Sequence, residues 1–99
     1  MFEFSGQKFD WDRVKNLSNI EKHGISFKTA ATVFFDDNAV LLDDEEHSQN
    51  EDRFIIIGFS KEHNLLTVCH CYRNNDETIR IISARKATKL EQKMYGGAL

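Results

Sequence analysis

Proline is absent from this 99-residue chain, and cysteine, methionine and tryptophan are scarce, at two, two and one. Without proline, no X–Pro bond can set a cis turn and no pyrrolidine ring can kink a helix. The two cysteines, Cys69 and Cys71, are too few and too close for a disulfide framework. On a strand they point to one face, a pleat repeat apart, and read as small buried or half-buried thiols. A Cys-x-Cys pair also lacks the ligand number and spacing of a metal site. No apolar run reaches the length of a membrane span. The segment Met1–Phe2–Glu3–Phe4 lacks the basic and apolar regions of a secretion signal. The expectation is a cytoplasmic protein with no membrane contact. Aromatic carbon, by contrast, is plentiful: eight residues are Phe and 40% of the chain is hydrophobic. That is the composition of a folded protein, and the length fits a single domain spanning residues 1–99.

Charge of one sign is also missing where it would be informative. The net charge is −3, which argues against bulk affinity for nucleic acid. The two halves differ, however. Residues 1–52 hold 5 Lys and Arg against 12 Asp and Glu, whereas residues 53–99 hold 8 against 4. A basic second half permits a local phosphate-binding face.

Periodicity orders the elements. A short alternation ending at Phe9–Asp10–Trp11 reads as a strand, and Asp12 can cap the helix that follows. In that helix Val14, Leu17 and Ile20 recur at three-residue steps on one side. Lys22 and His23 suit its negative end, and Gly24 supplies the left-handed stop. Ser26 caps a second helix, with Phe27, Ala30, Ala31 and Phe34 on one face. From Ala39 the pattern changes to strands: Ala39–Leu42, Arg53–Phe59, Leu65–Tyr72 and Glu77–Ser83. The links Lys61–Asn64 and Asn74–Asp76 are short enough for hairpins, so consecutive strands should be antiparallel. The acidic link Asp43–Asp52 reads as a solvated loop or a docking site for a basic partner. Thr88 and Glu91 form a capping box for a last helix, with Leu90 and Met94 toward the core. The predicted fold is α+β: a compact antiparallel sheet with two N-terminal helices and a short C-terminal helix packed on one face.

Groups able to do chemistry gather late in the chain. Arg73 and Arg80 sit at the ends of strands joined by one hairpin, and Arg85, Lys86 and Lys89 follow. Three guanidiniums could converge on one phosphate, since the planar fork of Arg donates to two oxygens at once. His70 is a candidate for proton transfer, because imidazole titrates near neutral pH, and equally a half-buried strand histidine. Lys22 and His23 could be plain helix-end charges.

Three blocks carry a family resemblance. The first runs from Phe9–Asp10–Trp11–Asp12 through Lys15 and Asn19 to Lys22–His23–Gly24–Ile25–Ser26–Phe27. The second is Glu51–Asp52–Arg53–Phe54 to Ile57–Gly58. The third is Arg73, then Ile79–Arg80–Ile81–Ile82–Ser83–Ala84–Arg85–Lys86–Ala87–Thr88, with Glu91 and Tyr95. Together they resemble the BrnT family, toxins of type II toxin–antitoxin modules, from about Phe9 to Tyr95. Many relatives have proline where this chain has Arg13, and Met1–Lys8 reads as an extension of the usual start. The resemblance implies a RelE-like fold and a cytoplasmic endoribonuclease that inhibits translation by cutting RNA, free or on the ribosome. It implies neither metal nor other cofactor. The implied partner is a BrnA-like antitoxin, bound as a hetero-oligomer and making the DNA contacts. Carried over, Arg73, Arg80 and Arg85 form the expected phosphate and transition-state group; His70, read from the residues alone, completes the expected catalytic set. Lys22 and His23 match the family's helix-end motif, which assigns them no role, and with Lys86 and Lys89 they make the expected RNA-binding set. The alternative is a catalytically inactive relative that binds a DNA-binding antitoxin and acts only in operon autoregulation.

Overall fold

A computed structural model describes residues 2–47 and 51–96. The chain begins with a hairpin, β1 (Phe2–Phe4) and β2 (Gln7–Asp10), followed by helices α1 (Arg13–His23) and α2 (Phe27–Ala31). A 3-10 turn, Thr32–Phe35, extends α2. Strands β3 (Val40–Asp43), β4 (Phe54–Phe59), β5 (Leu65–Arg73) and β6 (Thr78–Lys86) follow, and α3 (Lys89–Gly96) closes the described chain. Among the described residues, no helix is long and apolar enough to cross a membrane.

The α+β architecture is as expected, and so is the antiparallel run of β3, β4, β5 and β6. Three features differ from the expectation. The sheet has six strands, ordered β1-β2-β6-β5-β4-β3, because Phe2–Phe4 pairs with Gln7–Asp10 as an added edge. Strand β2 lies parallel to β6, which sets Phe9 beside Ile79 and Asp10 beside Arg80. Strand β6 also runs three residues past Ser83, so Arg85 and Lys86 belong to the sheet.

The local signals act as their chemistry requires. The Asp12 carboxylate accepts from the amides of Val14 and Lys15, and Ser26 Oγ accepts from that of Thr29. Gly24 adopts φ 70°, a left-handed stop that costs glycine little. Asn74, Asn75 and Asp76 all take positive φ in the β5–β6 turn, where Asn and Asp tolerate it best. Gly58 is required for a different reason: a Cβ there would lie 3.0 Å from both Val33 Cγ1 and Ala39 Cβ. Its absence lets the 3-10 turn press against β4.

The core lies between the sheet and α1, α2 and the 3-10 turn. Phe9, Phe27, Ala30, Ala31, Val33, Val68, Ile81 and Ala84 form its centre. Each large apolar side chain sealed there contributes roughly 1.5–3 kcal/mol relative to exposure. The apolar side of α1 is not part of this core. Val14 is 72% exposed and Leu17 57%, and the buried residue of α1 is Asn19.

Helix α3 corrects a further expectation. Its Leu90 is 68% exposed and Met94 38%, so neither faces the core. The helix rests instead on polar contacts and on the edge of Phe59 against Tyr95. Glu91 takes hydrogen bonds from Thr67 and Arg85, residues whose register points them away from α1 and α2. The third helix therefore lies on the opposite sheet face from the first two. The acidic link is not wholly solvated either: Asp44 is buried, its amide bonded to the Arg53 carbonyl. Residues 48–50 of that link lie outside the described residues.

Candidate functional site

Strands β5 and β6 pair so that Cys71 stands opposite Arg80, Arg73 opposite Thr78, Cys69 opposite Ser83 and Thr67 opposite Arg85. A bulge between Cys69 and His70 shifts the register, and with it the parity that keeps Arg80, Ser83 and Arg85 on one face. All three expected arginines thus project from the face that α1 and α2 leave uncovered. Arg73 and Arg80 are diagonal neighbours across the β5–β6 pair. Arg85 is five residues along the strand from Arg80, roughly 16 Å at the usual rise. The three do not converge on one phosphate.

Each guanidinium is held by a carboxylate. Arg73 bonds Glu51 at 2.6 Å and also donates to Cys71 Sγ at 3.0 Å. Arg80 bonds Asp10 at 2.8 Å, from the parallel strand. Arg85 makes a two-pronged contact with Glu91, at 2.7 and 3.0 Å. The Arg85 hydrogen bonds hold the Glu91 carboxyl down at about 2, against the cost of partial burial. Hydrogen bonding to Arg73 likewise holds Glu51 below the ordinary carboxylate range. Between the arginines lie two thiols. Burial pushes Cys69 up to about 11 and raises Cys71, so both stay protonated and inert near neutral pH.

His70 belongs to the other face. It is fully buried, with Phe34 edge-on at 4.7 Å and the rings of Tyr72 and Phe54 at 5.5 and 6.0 Å. Its Nδ1 lies 3.2 Å from the Val68 carbonyl, and burial lowers its pKa to about 4. An imidazole sealed in the core cannot reach RNA. The geometry separates His70 from the arginines.

The expected RNA-binding residues divide as well. His23 and Lys86 meet at a cleft of about 310 Å³, lined also by Gly24, Ile25, Thr29, Glu62, Asn64 and Leu66. Lys22 and Lys89 are exposed and do not line it. The residue that brings α1 to this cleft is Asn19, part of the first motif block and outside the expected site residues. Its side-chain amide donates to the Ile25 carbonyl at 2.9 Å and the Ala84 carbonyl at 2.8 Å, and its oxygen accepts from the Ala84 amide at 3.1 Å. Asn16 adds a bond from the Phe27 amide at 2.9 Å. Two asparagines three apart before a helix-stopping glycine are the sequence signal of this clamp.

The cleft and the arginine face draw on different parts of the chain, and comparison with known proteins spans both. The family model described as "Ribonuclease toxin, BrnT, of type II toxin-antitoxin system" matches residues 11–91. No curated protein matches the chain by sequence. Among solved structures, the ribonuclease toxin BrnT of Brucella abortus is similar, at 25% identity and a TM-score of 0.65. The match covers 84% of this chain and 99% of that one. With the family pattern running from Trp11 to Glu91 on this fold, the chain belongs to the BrnT family of ribonuclease toxins of type II toxin–antitoxin systems.

Proposed function

We propose that the chain is a metal-independent endoribonuclease that cuts RNA by attack of a 2′-hydroxyl on the adjacent phosphate, inhibiting translation. The observation that carries this reading is the pair Arg73 and Arg80, diagonal neighbours on the sheet face that α1 and α2 leave uncovered. Each already grips an oxyanion, Glu51 or Asp10, in the way a guanidinium would grip a phosphate. The two arginines stabilise the charge that builds on the phosphoryl oxygens. With His70 in the core, the carboxylates of Asp10 and Glu51 are the groups beside them that can take up the 2′-hydroxyl proton. Arg85 serves as a flanking phosphate contact. Lys22 and Lys89, both exposed, add salt-dependent attraction to the RNA backbone. The protein acts in the cytoplasm and is neutralised by a BrnA-like antitoxin, which makes the DNA contacts of the complex.

Incubating the purified protein with RNA, with and without ribosomes and with a chelator present, tests the activity. Arg73→Ala and Arg80→Ala should each lower cleavage by about a hundredfold or more. Wild-type cleavage by both variants would remove the arginine face from the reaction. A second reading, an inactive partner of the antitoxin, is favoured by one observation: all three arginines are occupied by carboxylates. It is the outcome if folded wild-type protein leaves RNA intact under every condition.

A further inference from the structure

We infer that the cleft between the α1–α2 turn and the β4–β5 hairpin is a pocket for one unpaired guanine base of the RNA, giving the enzyme its sequence preference. The inference rests on the ribonuclease reading above. The cleft joins two segments some sixty residues apart: His23, Gly24 and Ile25 on one wall, Lys86 on the other. These lie in the two longest motif strings of the chain, and the arginine face uses neither His23 nor Lys86. Ile25 and Leu66 are buried and give the cleft an apolar floor, while Glu62, Asn64 and Lys86 are exposed at its rim. At about 310 Å³ it is the size of a small-ligand site, an apolar base with a few placed polar groups.

The polar groups are uncommitted. Among the described residues, the side chains of Glu62, Asn64 and Lys86 make no hydrogen bond or ion pair, in contrast to Arg73, Arg80 and Arg85 on the sheet face. Their supports, however, are fixed. The Asn19 bonds tie Ile25 to Ala84, two residues from Lys86. Thr32 Oγ1 accepts from the Lys61 amide at 2.8 Å, and the Ser60 amide donates to the Asn64 carbonyl at 2.9 Å, which hold the turn that carries Glu62. A rim fixed by backbone bonds, with free side chains, is organised for a ligand before the ligand arrives.

Guanine matches this set. Its Watson–Crick edge presents two N–H donors to one carboxylate, Glu62, and its O6 and N7 accept from an ammonium, Lys86. Adenine offers no such donor pair, and cytosine and uracil have no N7. A carboxylate at the rim and the negative end of α1 beside it disfavour a phosphate as occupant. Unpaired RNA is the form in which a base can swing into such a pocket.

The test is an amide-shift NMR titration of the full chain with each of the four 5′-mononucleotides, beside the cleavage assay. GMP should move the amides of Gly24, Ile25, Asn64 and Lys86, with the other three bound about tenfold more weakly. Glu62→Ala should abolish that difference and, in end-mapping of cleaved RNA, the guanine enrichment, while cutting continues. Equal shifts with all four nucleotides, or shifts confined to Arg73 and Arg80, would overturn the pocket and leave the ribonuclease reading intact. A chain that binds GMP at the cleft yet cuts no RNA would sink the ribonuclease reading instead.

Discussion

The arginine face and the cleft handle charge in opposite ways. On the sheet face each of the three arginines is matched: Arg73 with Glu51, Arg80 with Asp10, Arg85 with Glu91. At the cleft, Lys86 and Glu62 share a rim but form no ion pair with each other. On the face, the partner carboxylates fix the geometry and offset the charge, as suits groups that must meet a phosphate in one orientation. At the cleft, geometry is fixed from behind by hydrogen bonds to the backbone, which leaves the rim side chains available. A strongly acidic first half is thus compatible with an RNA-directed second half. Asp10 and Glu51, two of the twelve acidic residues in that half, are the direct partners of the basic strands.

The most damaging way to break the comparison is Asn19→Leu. The side chains are of similar size, so the change leaves little void. It does leave the Ile25 carbonyl and both backbone groups of Ala84 without their partner in a buried site. A loss of about 3–4 kcal/mol in urea unfolding is expected. In what remains folded, contacts between α1 and β6 should loosen at the cleft while Arg73–Glu51 and Arg80–Asp10, remote from Asn19, persist. Stability within about 0.5 kcal/mol of wild type would show that Asn19 is not the clamp.

This residue also marks the limit of what periodicity can show. The caps at Asp12 and Ser26, the stop at Gly24, the Thr88–Glu91 box and the β4–β5–β6 meander were legible because each depends on neighbours in sequence. Val14, Leu17 and Ile20 show what such local signals leave open. Three-residue spacing reports that apolar side chains share a side of a helix, not that the side faces inward, and here the inward side carries Asn16 and Asn19. Leu90 and Met94 failed likewise, since α3 is held by Glu91 and Tyr95 through polar partners distant in sequence. For the site, the short Asn74–Asp76 link, legible as a hairpin, brings Arg73 and Arg80 together. The bulge at Cys69/His70 and the parallel pairing of β2 with β6 are long-range events, and they decide that Asp10 meets Arg80 and that Arg85 shares the face of Arg80.

His70 sharpens the comparison by belonging to neither region. Its folded pKa of about 4 lies below the ordinary 6.5. On acidification the unfolded chain therefore takes up the proton first. The contribution of neutral His70 is full above pH 6.5 and is lost as pH falls toward 4, amounting to about 3 kcal/mol across that window. His70→Phe, which keeps a ring among Phe34, Phe54 and Tyr72, should flatten stability against pH in that interval and leave RNA cleavage unchanged. Urea melts at pH 7 and pH 4.5 would measure the first, and single-turnover cleavage the second. A large fall in cleavage by a stably folded variant would return His70 to the catalytic set.

The smallest expected effect comes from Glu91→Gln, which asks whether pairing on the sheet face restrains an arginine or merely positions a helix. Glu91 accepts from Arg85, Thr67 and the Thr88 amide, so the substitution weakens α3 at its first turn. Arg85 is 41% exposed, and its ion pair is accordingly discounted for screening. The capping contact dominates, and a loss of about 1 kcal/mol at pH 7 is expected. The Glu91 carboxyl titrates at about 2 in the folded chain against an ordinary 4.5. Its contribution is therefore present above pH 4.5 and disappears as pH falls toward 2, so wild type and variant should converge in stability over that range. Because Arg85 stands roughly 16 Å along the strand from Arg80, its release should alter cleavage by no more than about twofold. A tenfold gain would mean that Glu91 withholds Arg85 from the substrate, and that the carboxylate pairs of this face are restraints as well as supports.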